Sequence, residues 1–289
     1  MYTKANHWMK KIVCSFANHY MAKGFPRFRE QAESMDIFDE IIFYTHKDLG
    51  KDIKQKYGRY YFPYSRGYGY WTWKPYLLLK TLEKMDEGDI LLYADLGCFF
   101  NPKGKSRLIE CFDIADKSPT GMLGFRSYEN SYNNMPENIY YDYEWTKGDI
   151  FDYFGVRDKM EYTHTTQVEA TVIFIKKCPS SMEFVKEWCK TIFEDVTLIT
   201  DRPSRAPDLP GFRENRHDQS IYSILAKKYN ITTLSTNEIF PQNQNWSLLE
   251  NYPIWAMRDK HYRSKFHYKH RFRIRKIYDM LWRIKYMFK

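Results

Sequence analysis

The chain has 289 residues, enough for one large α/β domain or for a domain plus an appendage. Aromatic residues make up 18% of it and tyrosines alone number 25, which excludes a disordered chain, and no apolar run approaches the ~18 residues of a membrane-spanning helix. Ten of the 45 Lys and Arg but only one of the 36 acids fall in 261–289; the formal charge of +9 therefore sits in the tail, and a body with 35 charges of each sign does not suit a uniformly basic nucleic-acid binder.

Lys10 and Lys11 precede "IVCSFA", a run too short for a secretory signal and better suited to a first strand at 11–18. A polar, periodic helix follows at 24–35, and "DEIIFYT" at 39–45 is a second strand. "RGYGYWTWKP" at 66–75 sets two glycines and four aromatics before a helix spanning 72–85, with Thr72 as N-cap and Pro75 in the first turn. Leu78, Leu79, Leu82 and Met85 give that helix one apolar face. "EGD" at 87–89 breaks the chain, and the apolar run Ile90–Ala94 reads as a buried strand of a parallel sheet.

Beyond it, 121–126 suits a strand, the Asn-rich and Tyr-rich stretch 127–145 a long loop, and 146–156 a short helix. A strand at 170–177 leads to a helix with Ser180 as N-cap and Glu183 as its capping-box partner. A Pro-rich loop at 201–216 precedes a helix at 218–230. The alternation of strands and helices predicts an α/β fold with a Rossmann-like, mostly parallel central sheet flanked by helices. Cys14, Cys98, Cys111, Cys178 and Cys189 contain no CxxC pair, as expected of reduced thiols in a cytoplasmic protein.

Three stretches can carry chemistry. Asp95 follows the third strand directly, and such folds bind ligands at the carboxyl ends of their strands. Gly97 would let a ligand approach the backbone; the plain alternative is an Asp that caps a turn. Tyr70, Trp73 and Lys74 sit at a helix start, where free N–H groups and a mobile ammonium attract phosphate; the alternative is an aromatic loop that only packs. "RHDQS" places His217, Asp218 and Gln219 at another helix start, and His164, Gln167 and Glu169 precede the 170–177 strand. An N-capping Asp and a His with no special role are the alternatives there.

Together "GYGYWTWKP", "YADLG", "TKGDIF" and "HDQS" resemble GT-A glycosyltransferases, in particular those that build bacterial capsule and lipopolysaccharide glycans. The resemblance covers about 10–235 and implies a GT-A domain at 1–260. It implies an enzyme moving a sugar from a nucleotide-diphosphate sugar, UDP-linked by preference, to a saccharide or lipid-linked saccharide, with retention mildly favoured. Asp95, Gly97, Lys74, Tyr70 and Trp73 would bind the donor, and Asp218 and Gln219 would sit near the anomeric carbon. His217, Gln167 and Glu169 would line the substrate pocket. Mn²⁺ or Mg²⁺ would be held through Asp95, but Gly97 stands where the Asp-x-Asp motif has its second acid. The alternative to a metal is charge neutralisation of the leaving group by Lys and Arg.

The tail at 261–289 has Ile274, Ile277, Leu281, Ile284 and Phe288 at helical spacing. With Arg275, Lys276, Trp282 and Arg283 it predicts a basic amphipathic helix on an anionic membrane, hence a peripheral protein at the inner face. The rival functions are a nucleotidyl- or phospho-transferase on a similar sheet, lacking here a second acid or a P-loop, and a non-enzymatic membrane or nucleic-acid adaptor.

Overall fold

Strands that are apolar on consecutive residues need cover on both faces. In the computed structural model of the chain, which describes residues 8–62, 65–129 and 138–259, they receive it. The strands are β1 (Lys11–Phe16), β2 (Glu40–Tyr44), β3 (Ile90–Ala94), β4 (Phe99–Phe100), β5 (Met122–Arg126), β6 (Val168–Lys176), β7 (Thr232–Ser235) and β8 (Ile254–Trp255). Six form the central sheet in the order β2-β1-β3-β6-β5-β7, and β4 pairs with β8 in a second, two-stranded sheet. The helices of seven residues or more are α1 (Phe25–Ser34), α2 (Lys51–Tyr57), α3 (Trp73–Lys84), α4 (Lys105–Lys117), α5 (Gly148–Phe154), α6 (Pro179–Glu194) and α7 (Asp218–Lys228).

The expected α/β sheet flanked by helices is present. One face of it, with Ile12, Cys14, Leu91, Tyr93 and Ile173, packs under α3, α6 and α7 through Leu78, Leu82, Trp188 and Ile224. The other face, with Val13, Ile90, Leu92 and Phe174, packs under α1 and α4 through Phe28, Ala32 and Phe112. Leu78 and Leu82 are almost completely buried, each contributing about 1.5–3 kcal/mol.

Strand direction places the site. β1 runs parallel to both β2 and β3, so the chain leaves β1 to either side and opens a crevice at the carboxyl ends of β1 and β3. β6 is antiparallel to both neighbours, β3 and β5. It is therefore the beginning of β6 that lies at that same edge, and the Asp95 amide donates to the Thr171 carbonyl at 3.0 Å.

Two predicted caps differ. Thr72 is itself in helical conformation, and its hydroxyl turns back to the Gly69 carbonyl at 2.9 Å instead of capping α3. α6 starts earlier than expected, with Cys178 as N-cap and its amide donating to the Ser181 hydroxyl at 3.2 Å. Helices α2 and α4 have no counterpart among the predicted elements. The tail, with Arg275, Lys276, Trp282 and Arg283, lies outside the described residues. No described helix is long and apolar enough to cross a membrane.

Candidate active site

Lys74 stands at the centre of the crevice. It is 3% exposed, so the ammonium expected to be mobile is instead locked in place. Its Nζ donates to the Ala170 carbonyl at 2.9 Å, lies 3.1 Å from Asp218 Oδ2 and 3.6 Å from Asp95 Oδ1. Burial opposes its charge, but the two carboxylates outweigh burial and raise its pKa. The Asp218 carboxyl is pushed up to about 6 by burial, which outweighs the pull of Lys74.

The two acids differ in access. The Asp218 side chain is 4% exposed and lies behind Lys74, whereas that of Asp95 is 37% exposed and faces the opening. Asp95 Oδ1 accepts from the Tyr93 hydroxyl and faces Lys74. The carboxylate is thus aimed by a phenol and an ammonium, not folded back as a turn cap. Tyr93 was not among the expected site residues, although its place two positions before Asp95 on the same strand face was the available signal. Glu169 is half-buried at the start of β6; burial raises its pKa, and Arg258 and Arg216 work against that.

The aromatic loop is more strained than its sequence suggests. Gly67, Tyr68, Gly69, Tyr70 and Trp71 all have positive φ, between 50° and 89°. The Tyr70 amide donates to the Arg66 carbonyl at 2.7 Å and that of Trp71 to Gly67 at 3.3 Å. This is one turn of left-handed helix, costing about 1–2 kcal/mol at each non-glycine residue. Its surroundings offset the cost. Arg66 pairs with Asp201 at 2.9 Å, Tyr70 Oη donates to Asp201 at 3.1 Å, and Trp73 Nε1 donates to the Gly67 carbonyl at 2.9 Å.

The turn presses the Trp71 ring onto His217, 5.3 Å between centroids and 23° between planes. His217 is buried, has φ 60°, and bonds through Nδ1 to the Ile199 carbonyl at 2.7 Å. Since a carbonyl only accepts, Nδ1 carries the proton. Burial, helped by the Arg66 charge, drives the His217 pKa down to about 3, so the ring is neutral. Trp73 is buried and stacks on Phe16 at 3.9 Å, bracing the end of β1 from within the core. His164 lies exposed against Tyr143, 4.8 Å between ring centroids.

A Cβ at Gly67 would lie 2.1–2.5 Å from Trp71 ring atoms, at a φ of +56°. Gly67→Ala is therefore expected to cost at least about 2 kcal/mol and to drive the indole off His217. Thermal unfolding and tryptophan emission test this; a variant matching the parent in both would show that the turn has slack.

Gln219 is committed within the protein. Its Oε1 accepts from the Ala170 amide at 3.2 Å and its Nε2 donates to Gln167 Oε1 at 2.8 Å. Gln167 Nε2 donates onward to Asp142 Oδ1 at 2.9 Å. Asp142, in the stretch expected to be a loop, is fully buried; it accepts from Thr146 and Ser223 at 2.8 Å and 2.6 Å and pairs with Lys227. Asp142 and Lys227 carried no local sequence signal.

A divalent cation does not fit the donors present. No three His, Cys, Asp or Glu side chains among the described residues gather closely enough to share one. The Lys74 ammonium already occupies the space between Asp95 and Asp218. Position 97 is tight for a second acid: a Cβ there would lie 3.0 Å from Arg258 Cα and 3.1 Å from both Arg258 C and the Asp259 amide nitrogen, so that backbone would have to give by a few tenths of an ångström. What approaches the backbone at Gly97 is thus the chain itself.

No family model and no curated protein matches the sequence. Among solved structures the chain is similar to a glycosyltransferase involved in glycosylation of the major capsid of PBCV-1, at 12% identity and a TM-score of 0.45, over 87% of this chain and 96% of that one. It is similar to mouse xyloside xylosyltransferase 1 in its apo form, at 11% identity and a TM-score of 0.42, over 86% and 97%. It is also similar to the galactosyltransferase LgtC in complex with donor and acceptor sugar analogs, at 13% identity and a TM-score of 0.39, over 83% of each chain. At these identities and TM-scores the similarity is distant.

Proposed function

We propose that the protein is a nucleotide-sugar-dependent glycosyltransferase of GT-A type. The supporting observation is the half-exposed Asp95 carboxylate at the carboxyl end of β3, aimed into the crevice by Tyr93 and the buried Lys74. A nucleotide sugar offers what this arrangement recognises: hydroxyls that donate to a fixed carboxylate, and a diphosphate that seeks positive charge. The leaving group is a stable diphosphate, so the site needs no general acid. It needs a negative edge where charge develops on the sugar ring.

In this reading Asp95 accepts from a ribose or sugar hydroxyl and Lys74 holds Asp95 in place. Asp218, enclosed behind Lys74, supplies the counter-charge that keeps the ammonium charged, a narrower role than contact with the anomeric carbon. Gln167 and Gln219 brace the start of β6 so that Glu169 borders the crevice. The acceptor is a saccharide or lipid-linked saccharide of a cell-surface polysaccharide, brought to the inner membrane face by the basic tail. The donor is read as UDP-linked.

The resemblance favours retention through the Asp-Gln pair at the start of α7, but Asp218 is enclosed behind Lys74 and Gln219 is engaged by Ala170 and Gln167, so a retaining transfer would need both to be released toward the sugar. Glu169 favours a second reading. A half-buried carboxyl with a raised pKa suits a general base toward an acceptor hydroxyl, which gives inversion. Proton NMR of the first-formed product anomer separates the two.

The class is tested by calorimetric titration of the full chain with UDP- and GDP-sugars, with and without Mn²⁺. One donor should bind at micromolar strength, and Asp95→Ala should weaken it at least about tenfold while the protein stays folded. Unchanged binding by Asp95→Ala would remove Asp95 from the site. Absence of binding to every donor by folded protein would turn the reading to a membrane adaptor.

A further inference from the structure

We propose that Arg258, carried over Gly97 by the returning chain, takes the place of a divalent cation in holding a diphosphate, so that donor binding is independent of metal. The inference rests on the glycosyltransferase reading and identifies which charge meets the leaving group.

After β8 the chain doubles back onto the 95–98 turn, and the Asp259 amide donates to the Gly97 carbonyl at 3.1 Å. Arg27 pins the contact from below. Its guanidinium donates to the Cys98 carbonyl at 2.6 Å, stacks over Phe99 at 4.3 Å, and its Nε lies 3.8 Å from Asp259. Arg258 itself holds a φ of +53°, a conformation that costs a non-glycine residue energy and that the surroundings must enforce.

The result is a cation with little else to do. Arg258 is exposed, and its guanidinium rests over the Phe240 ring at 5.4 Å. Among the described residues it has no carboxylate within ion-pair distance. Its charge is nevertheless felt at Glu169 on the crevice edge and at Arg216, whose pKa burial lowers and which Arg258 lowers further. Arg216 is held over the Trp145 ring at 4.0 Å and paired with Glu214 at 3.0 Å. Glu169 is the carboxylate that feels both guanidiniums, so one acid answers two like charges there and a further anion would be favoured. A guanidinium fork matches phosphate oxygens two at a time.

The second acid of an Asp-x-Asp motif would also crowd the backbone that carries this arginine. An acid at 97 would have to shift the 258–259 backbone, on which the cation is carried, by a few tenths of an ångström. Glycine at 97 and arginine at 258 thus form one arrangement, in place of acid and metal.

The test titrates UDP, GDP and CDP into the full chain by calorimetry, in EDTA and then in Mn²⁺. One of them is expected to bind in EDTA, with a dissociation constant within about threefold of that in Mn²⁺. Arg258→Gln should weaken this binding in EDTA about tenfold or more, because it removes a charge-assisted hydrogen bond, and Arg258→Lys should weaken it less. Both variants should melt with the parent, since the side chain is exposed. Binding in Mn²⁺ only would overturn the inference and leave the glycosyltransferase reading standing. So would an Arg258→Gln variant that binds like the parent. Absence of binding in both media would overturn the reading and the inference together.

Discussion

Replacing Lys74 by Met is expected to cost about 3–5 kcal/mol of folding stability and to abolish nucleotide binding. The side chain is buried between Asp95 and Asp218, and its removal leaves Asp218, 4% exposed, without its counter-charge. The Ala170 carbonyl loses its ammonium donor as well. The loss should depend on pH in a direction that identifies its cause. The Asp218 pKa is already raised to about 6, and without Lys74 it rises further above its unfolded value. A carboxyl with a raised folded-state pKa takes up a proton on folding. Its contribution is fully present below the unfolded pKa of about 4 and is lost as pH rises through the folded pKa. The deficit of Lys74→Met should therefore be smaller near about pH 5 than near about pH 8. Asp218→Asn added to Lys74→Met should recover part of it at the higher pH, because the uncompensated charge is then gone. Urea unfolding at the two pH values measures both. A deficit that ignores pH and the second substitution would show lost packing, with no part for the buried charge.

Much of this site was legible in the chain because its signals are local. Ile90–Ala94 is apolar at every position, so it had to be a strand covered on both faces, and its end had to open where Asp95 stands. The apolar face of Leu78, Leu79, Leu82 and Met85 with Pro75 ahead of it marked α3 and so placed Lys74 in its first turn, although the structure buries Leu77 more fully than Leu79. Strand direction was not legible, because an apolar strand reads the same both ways. The reversal of β6 is what brings Gln167 and Glu169 to the Asp95 edge. The left-handed turn at 67–71 was hidden for another reason. Two glycines permit positive φ, but only the contacts of Arg66, Tyr70 and Trp73 elsewhere in the fold require it of the tyrosines and the tryptophan. Polarity misled at 127–145, where acids and amides suggested solvent. Asp142 is instead a buried junction, since the nearby Thr146 and three donors from distant parts of the chain converge on it.

That junction is the second place where one substitution should have a large effect. Asp142→Ala is expected to destabilise the protein by about 3–5 kcal/mol. For a chain of this size that is a fall in melting temperature on the order of 10 °C. Asp142 is completely buried, and its two oxygens serve Gln167, Thr146, Ser223 and Lys227. Lys227 is held in the protein by this pair, by the Tyr162 carbonyl at 2.9 Å and by the Thr165 carbonyl at 3.3 Å. Its burial lowers its pKa, and Asp142 is the charge that opposes the lowering. With alanine at 142, the ammonium must deprotonate or draw in water, and both are costly. Asp142→Asn should fall between alanine and the parent, since its amide oxygen still accepts while its NH₂ meets donors. The functional consequence passes through Gln167 to Gln219 and the start of β6. Lys74 and Asp95 meet β6 through the Ala170 and Thr171 carbonyls and not through the amide side chains themselves, so nucleotide affinity of the folded variant should change less than the rate, by about threefold or less. The rate of sugar transfer, which needs the β6 edge held in place, should fall by about tenfold or more. A variant within about 1 kcal/mol of the parent would show that water or a shifted side chain replaces Asp142 at little cost. Equal losses in affinity and rate would place the Asp142 network in donor binding itself.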